Sequence, residues 1–537
     1  MPTTIHDLSD DVLLVIFLHY VQSFDFDAPR SYHDASFSPY AFIRITFICR
    51  RWRHLALQDP FLWTSISVTD RVECLDAVAK RSQQTGLSVT LENWRGRDQK
   101  SISFVTEQKE RIRHLHLRAY REAFSGMEPC LGNPLPELRT LKLTYDVEDI
   151  TGPGYPNLSI DGILKNTPKL HTMDVTSCGL YSMDEQLYSP PPDQDQKISH
   201  VRMRSPGKSL IRPTVNEFVL AYFQNVTTLY LSYVVVFYED GPDQFSLSFP
   251  RLQQLELHDM SPHRLPYILY PMTFPSSATL RITCGFHGGV GMYRYFREFS
   301  NAISRKLRDS TLRPVRTEPI LSLIVSIDYL FDQVVLNASS VDEVSFDASR
   351  AHTDLQITLI AHNDSTQWTE WCYGELLTNI CPYLPLAEVT TVCLDISSPC
   401  LQFLEALESK TDLWGALRSM TKVRTLAIRD APVRDVVELL LCPIVYGKEQ
   451  FERMLEAAEV TAEDAKPLFP ILEHLHLDTV DFAADSESKD AGFSVRSLLE
   501  RREKESMPIR RLTLANCTGV SDEIVKDLRE VVELVVQ

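Results

Sequence analysis

Ile112-Arg113-His114-Leu115-His116-Leu117-Arg118 decides the fold, because its pattern returns along the chain. An apolar residue, two others, then apolar-x-apolar recurs at Leu138/Leu141/Leu143, Leu170/Met173/Val175, Ile198/Val201/Met203, Val226/Leu229/Leu231 and Leu252/Leu255/Leu257. Counted between the middle apolar positions from Leu115 to Leu255, the spacings are 26, 32, 28, 28 and 26 residues. Side chains two apart on a strand point to the same side, so each apolar-x-apolar pair enters one interior. A strand of this kind in every repeat predicts a parallel ladder with neighbours about 4.8 Å apart. Further copies stand at Val389/Val392/Leu394, Val423/Leu426/Ile428, Leu472/Leu475/Leu477 and Ile509/Leu512/Leu514. Weaker ones stand at Val89/Leu91, Leu280/Ile282, Leu323/Val325, Val344/Phe346 and Ile357/Leu359.

This array resembles the leucine-rich repeat in a divergent, irregular form. Between strands the sequence predicts helices over 161–166, 215–223, 292–307, 401–417, 433–441 and 451–458, and a closing helix over 521–535. Strand alternating with helix is the pattern of a parallel α/β array, in which each repeat buries its apolar face only against its neighbours. Residues 258–388 carry the least regular spacing, so merged or irregular repeats are expected there. Residues flanking the inward pairs point to the other, concave side of the ladder. His116, Arg118, Lys142, Tyr230, Glu256, His258, Asp395, Arg429, His476 and Asp478 are therefore candidates for contacting a protein target. A compact α/β domain with parallel strands is the competing arrangement.

Ahead of the array lies a different kind of segment. Leu8-Ser9-Asp10-Asp11-Val12-Leu13 runs into Ile16-Phe17, and every position from Val12 to Leu18 is apolar. A helix that is apolar all round must be covered on every side, which fifty to sixty residues rarely manage alone. Phe42, Ile45, Cys49, Trp52 and Ala56 then recur at helical spacing, with Ile48 and Leu55 widening the stripe, before Pro60-Phe61-Leu62-Trp63. The run is too short to span a bilayer. Asp7, Asp10 and Asp11 precede it where a secretory leader would be basic.

The arrangement of these residues resembles the F-box, the short helical module that docks onto the adaptor Skp1 of cullin–RING ubiquitin ligases. Ser9 stands where that family usually has Pro, and the segment from Gln22 to Tyr40 separates helices that the family joins more directly. The sequence thus reads as an α/β protein. A small N-terminal helical module over residues 1–64, with a loop insertion at about 22–40, precedes a leucine-rich-repeat solenoid over 65–537 with a parallel strand ladder and convex-side helices. The resemblance implies a substrate-recognition subunit of an Skp1–cullin–F-box ubiquitin ligase, binding a Skp1-type adaptor, and through it a cullin, with its N-terminal helices. The adaptor-facing or module-core candidates are Leu8, Val12, Leu13, Ile16, Phe17, Ile48, Cys49, Trp52, Leu55 and Leu62. Arg50, Arg51 and Arg53 are candidates for a polar rim.

Composition narrows the alternatives. The net charge of −18 over 537 residues argues against a general nucleic-acid binder. Eleven cysteines, an odd number without close pairing, do not read as a disulfide framework and suit a reducing cytoplasm or nucleus. His114/His116 and His474/His476 each place two imidazoles on one strand face, short of the three or four ligands of a zinc site. The Gly285, Gly288, Gly289 and Gly291 cluster lacks the strand-glycine-helix order with a lysine that a phosphate cradle needs. The expectation is a non-enzymatic adaptor without metal or cofactor, with no nucleic-acid or membrane partner. A non-ligase interaction scaffold on the same repeats, or a hydrolase or transferase hidden in 258–388, would be the other classes.

Overall fold

The computed structural model describes residues 5–22, 41–68, 72–94, 99–119, 130–145, 156–182, 198–205, 214–237, 246–260, 264–275, 277–286, 320–328, 333–342, 355–361, 386–395, 420–430, 468–482 and 495–537, with helical residues among 298–303, 417 and 433–440. The insertion at 23–40, the helix candidates at 401–416 and 451–458, and the Val344/Phe346 strand candidate lie outside the described residues. The protein is mixed α/β with a parallel-dominated sheet, and it divides into two compact units, Met1–Leu252 and Gln253–Gln537.

In the first unit the strands Ser65–Val68, Leu87–Trp94, Ile112–Ala119, Thr140–Tyr145, Thr172–Thr176, His200–Arg204 and Thr228–Ser232 pair in chain order, all parallel. The register superimposes the motif: Leu115, Leu141, Met173, Val201 and Leu229 lie side by side, as do Leu117, Leu143, Val175, Met203 and Leu231. All of these are buried. Fully burying a side chain of this size contributes about 1.5–3 kcal/mol, opposed by the entropy of ordering the chain. The strand Ser65–Val68 begins the ladder ahead of the first sequence candidate at Val89; Trp63 leads its Ile66/Val68 pair at the repeat spacing, a copy that the sequence reading missed. A smaller parallel sheet of Asn157–Ser159, Gly179–Tyr181, Thr214–Asn216 and Val235–Phe237 was not foreseen, since three-residue strands leave no periodic signal. The helix expected over 161–166 spans Ile160–Asn166, and the one expected over 215–223 shortens to Glu217–Ala221.

The second unit repeats the construction with one reversal. Gln254–Met260, Thr279–Phe286 and Leu355–Ala361 pair in parallel. Gln333–Ser339 then runs antiparallel between Leu355–Ala361 and Ser322–Asp328. Parallel pairing resumes from Ser322–Asp328 through Thr391–Asp395, Thr425–Arg429, His474–Asp478 and Arg511–Ala515 to Glu533–Val536. The reversal falls within the stretch whose spacing is irregular. The reversed strand carries apolar residues at Val334, Leu336 and Ala338, an alternation that does not distinguish parallel from antiparallel pairing. The closing element also differs from the sequence reading. The helix ends at Arg529, because Glu533–Val536 completes the register Leu512↔Leu534 and Leu514↔Val536 as a last strand.

A turn recurs at the strand ends. Ser177, Tyr233, Asp430, Thr479 and Asn516 each follow the last residue of a ladder strand, and each adopts a left-handed backbone with φ between 52° and 57°. This region costs a residue with a Cβ some energy, so its repetition indicates that the ladder imposes it. The N–H groups of Ser177, Asp430 and Thr479 donate to the carbonyl of the last residue of the following strand, Arg204, Asp478 and Ala515, which gives the reversal a partner in the next repeat. The residue after the turn re-enters the interior at Cys178, Val234 and Val480. Burial pushes the Cys178 thiol well above its usual range, so it behaves as a small apolar side chain.

Candidate functional site

The N-terminal helices distribute their apolar residues between two surfaces. Helix α1 is Asp10–Gln22 and helix α2 is Arg50–Gln58, preceded by a 3-10 helix over Ala41–Phe47 and followed by another over Pro60–Trp63. Cys49 caps α2 with its Sγ facing the Trp52 N–H at 3.5 Å. Asp59 caps the next turn by accepting from the Phe61 N–H. On α1, Leu13, Phe17 and Val21 recur every four residues and are buried. Phe17 meets Trp52 edge-on at 4.9 Å between ring centroids, Phe42 meets Trp63 at 5.6 Å, and the Trp63 Nε1–H donates to the Ala56 carbonyl at 2.7 Å. Arg81, from the helix Val72–Arg81, lies 4.5 Å over the Trp63 ring and ties this core to the start of the ladder. Trp52 Nε1 is buried with no hydrogen-bond partner among the described residues.

The neighbouring stripe of α1 is bare. Val12 is 45 % exposed, Val15 54 % and Ile16 40 %, with Tyr20 one turn further along the same stripe. Around α2, Phe47 is 70 % exposed, Ile48 60 % and Phe61 63 %; Ile5 and Leu57 are exposed as well. Single exposed apolar residues are normal on a protein surface, whereas a concentration of nine within about sixty residues is not. Arg51 fixes how α2 meets the start of α1. Its Nε and Nη2 donate to Asp10 Oδ1 at 2.9 and 2.6 Å, and Nη2 also reaches the Leu8 carbonyl. Arg53 lies 5.9 Å from the Phe47 ring centroid.

The ten sequence candidates here separate by role. Leu13, Phe17, Trp52 and Leu62 are internal, which removes them as contacts for a partner. Val12, Ile16 and Ile48 are exposed, and Leu8, Cys49 and Leu55 are half-buried. Val15, Phe47 and Phe61 were missed as surface residues. Val12, Ile16 and Tyr20 share the four-residue spacing of Leu13, Phe17 and Val21, so spacing alone did not set the two stripes apart.

The ladder's outward face is the second candidate surface, and its two units differ. In the first, the register brings His116, Lys142, Asp174, Arg202 and Tyr230 into one row, with Arg118, Thr144, Thr176, Arg204 and Ser232 beside it. His116 is buried, with Nε2 3.2 Å from Thr144 Oγ1, so it is a packed residue. Arg118, Lys142 and Tyr230 are half-buried and Arg202 is exposed. The Arg202 guanidinium stacks 4.9 Å over the Tyr230 ring. Arg204 donates from Nε to Thr176 Oγ1 at 2.9 Å and lies 3.6 Å from the Asp174 carboxylate. Beside this row, burial together with Arg139 and Arg113 holds the His114 pKa below its usual value.

In the second unit the candidates are paired with one another. His258 and Gln254 hydrogen bonds outweigh burial and hold Glu256 at a pKa of about 2, with Arg281 Nη1 3.1 Å from its Oε1. Burial opposes ionisation of Asp478, but the Asn516 amide at 3.0 Å and Arg429 Nε at 2.8 Å prevail and lower its pKa. Asp478 is thus buried within its own ion pair, contrary to its reading as an outward contact. Burial lowers the pKa of His474 and of His476, whose rings lie 6.2 Å apart. Asp395 occupies its row beside Arg429 in register, though its side chain lies outside the described residues. Between these pairs the outward row is apolar and buried, at Ile324, Cys393 and Ala427.

Among the described residues no group of three His, Cys, Asp or Glu is placed to hold a metal ion. No described helix is long and apolar enough to cross a membrane. The described cysteines form no disulfide; burial pushes the Cys130 thiol up to about 11. No family model matches the chain, and no curated protein matches it.

Proposed function

We propose that this chain is the substrate-recognition subunit of an Skp1–cullin–F-box ubiquitin ligase. Its N-terminal helices dock onto a Skp1-type adaptor, and its leucine-rich-repeat ladder holds a target protein. The observation that carries this reading is the bare apolar stripe Val12, Val15, Ile16 and Tyr20, together with the exposed Phe47, Ile48 and Phe61 around α2, beside the buried Leu13, Phe17, Trp52 and Leu62. A helix of that composition gains by being covered, and covering apolar surface contributes roughly 25 cal/mol per Å². The chain itself performs no chemistry. It raises the effective concentration of a ubiquitin-carrying enzyme near target lysines by holding both on one assembly.

Co-purification tests the proposal. The full chain is expected to bring down a Skp1-type adaptor together with a cullin, and Val12→Gln/Ile16→Gln/Phe61→Gln is expected to bring down neither while keeping the wild-type circular dichroism. Undiminished adaptor capture by the folded triple variant would refute the docking surface. Capture of the adaptor without a cullin would instead favour a non-ligase scaffold. Phe17→Ala/Trp52→Ala is unsuited to this purpose, because both rings are internal and their removal unpacks the module.

A further inference from the structure

We infer that the outward face of the first unit's ladder is a docking surface for an anionic peptide segment of a partner protein. This rests on the ladder being the target-binding half of the proposed assembly, and it names the chemistry of the target. Across the strands from Ile112–Ala119 to Thr228–Ser232, the charged residues at outward positions are Arg118, Lys142, Arg202 and Arg204 against Asp174 alone. The remaining outward residues are Thr, Ser, Tyr and His. A chain of net charge −18 therefore sets a cationic strip on one face of a ladder whose other face is the core. The corresponding positions of the second unit do not repeat this: Glu256, Asp395, Asp478 and Glu533 stand with Arg281, Arg429 and Arg511.

The side chains of the strip suit a peptide better than a dispersed counter-ion cloud. Lys142 and Arg202 lie in one row two ladder steps apart, so roughly 10 Å separates their backbones. Same-side side chains of one extended segment, about 6.6 Å apart at two residues and about 13 Å at four, bracket that distance. Tyr230, stacked under Arg202, supplies an apolar face with a polar tip beside the cations, and Tyr and Arg are the residues that dominate protein interfaces. Arg204 is pre-set by Thr176 and Asp174 and is not left to search rotamers. The Asp174 carboxylate opposes an anionic partner, but it lies 3.6 Å from Arg204, and the four cations outnumber it, attract carboxylates or phosphates and steer their approach.

The test uses the full chain and fluorescence anisotropy with three labelled probes of matched length. These are a Glu/Asp-rich peptide, the same scaffold carrying phosphoserine, and a Lys-rich peptide; a single-stranded oligonucleotide of equal charge is the fourth. Binding of one or both anionic peptides that weakens as salt is raised from 50 to 200 mM is expected, and the stronger of the two identifies carboxylate or phosphate as the preferred anion. Lys142→Glu/Arg202→Glu is expected to raise the Kd at least about tenfold, and the milder Lys142→Gln/Arg202→Gln at least about threefold. Arg510→Glu, in the second unit and largely exposed, is expected to leave the Kd within about twofold. Equal binding of the Lys-rich peptide, tighter binding of the oligonucleotide, or an unchanged Kd in both folded double variants would each overturn the inference. Adaptor capture measured on the same preparations separates the two proposals: both double variants should retain it, and a loss of peptide binding with adaptor capture intact concerns the ladder alone.

Discussion

The N-terminal helices and the ladder use apolar residues in opposite ways. In the first unit's ladder, the apolar-x-apolar pair of each strand is buried and the residues between are polar, so each repeat closes its core against the next. In α1, an apolar stripe at Leu13, Phe17 and Val21 is buried while a second at Val12, Val15 and Ile16 is bare. A repeat array supplies its own cover by adding strands; a module of two short helices has one face to pack and nothing of its own for the other. The difference teaches that the bare stripe is surplus to the stability of this chain, and substitutions can test that.

The largest effect belongs to the interior of either region. Leu229→Ala in the ladder and Leu13→Ala in α1 each leave a cavity at a site with no solvent exposure, at an expected cost of about 2–5 kcal/mol. Hydrogen exchange should show faster opening of the strands flanking 228–232 in the first variant, and of helices α1 and α2 in the second. A small effect in α1 alone would mean that the module's inner face is as unneeded as its outer one.

Next comes a buried cation that belongs to the second unit. Arg502, on the helix Val495–Lys504, is fully buried and donates to the carbonyls of Leu468, Phe469 and Met507 at 3.1, 2.7 and 3.3 Å. Burial without a carboxylate lowers its pKa to about 10, which leaves it charged near neutrality. Arg502→Lys keeps the charge but loses the planar fork, so one or more carbonyls go unsatisfied at about 1–3 kcal/mol. Protease resistance around 468–472 is the readout, and wild-type resistance would show that the fork is not needed there.

Acid sensitivity separates the two ladders with a smaller effect. Glu256 has a folded-state pKa near 2, below its value of about 4.5 in the unfolded chain, so its stabilisation is present above that higher pKa and is lost as pH falls through the lower one. Denaturation midpoints of the second unit should therefore drop between about pH 5 and pH 2. Glu256→Gln should flatten this dependence while leaving the first unit's midpoint unchanged. His474 and His476 act in the same direction at higher pH. Their depressed values favour the neutral rings, so stability is full above the unfolded histidine pKa near 6.5 and declines below it.

How much of this was legible before the structure depended on how local the signal was. The register of Leu115 to Leu229 could be read because period-2 alternation and a steady repeat length are properties of the sequence itself. The antiparallel strand at Gln333–Ser339 could not, since the alternation that carries Leu336 and Ala338 into the core on either side of Asn337 fits either strand direction. Of the candidate contacts, Lys142, Arg202's neighbour Tyr230 and Arg429 were placed on the outward face by alternation alone. Whether such a residue is open or buried depends on partners distant in sequence. Asp478 is enclosed by Arg429 and Asn516, 49 and 38 residues away. Leu13 and Ile16 are indistinguishable by composition, and only packing on one side of α1, where Phe17 meets Trp52, divides them.

That division is where the smallest effect is expected, and it is the most telling. Val12→Gln/Ile16→Gln replaces two bare apolar residues with one that suits a helix as well, so neither a cavity nor an unsatisfied polar group results. The expected change in stability is within about 0.5 kcal/mol, against several for Leu13→Ala on the same helix. Differential scanning calorimetry of the isolated full chain measures it, with aggregation temperature expected to rise as the greasy stripe is interrupted. A loss of stability comparable to that of Leu13→Ala would mean that the stripe is covered by this chain's own residues in solution. The contrast between a self-completing ladder and an uncompleted module would then disappear.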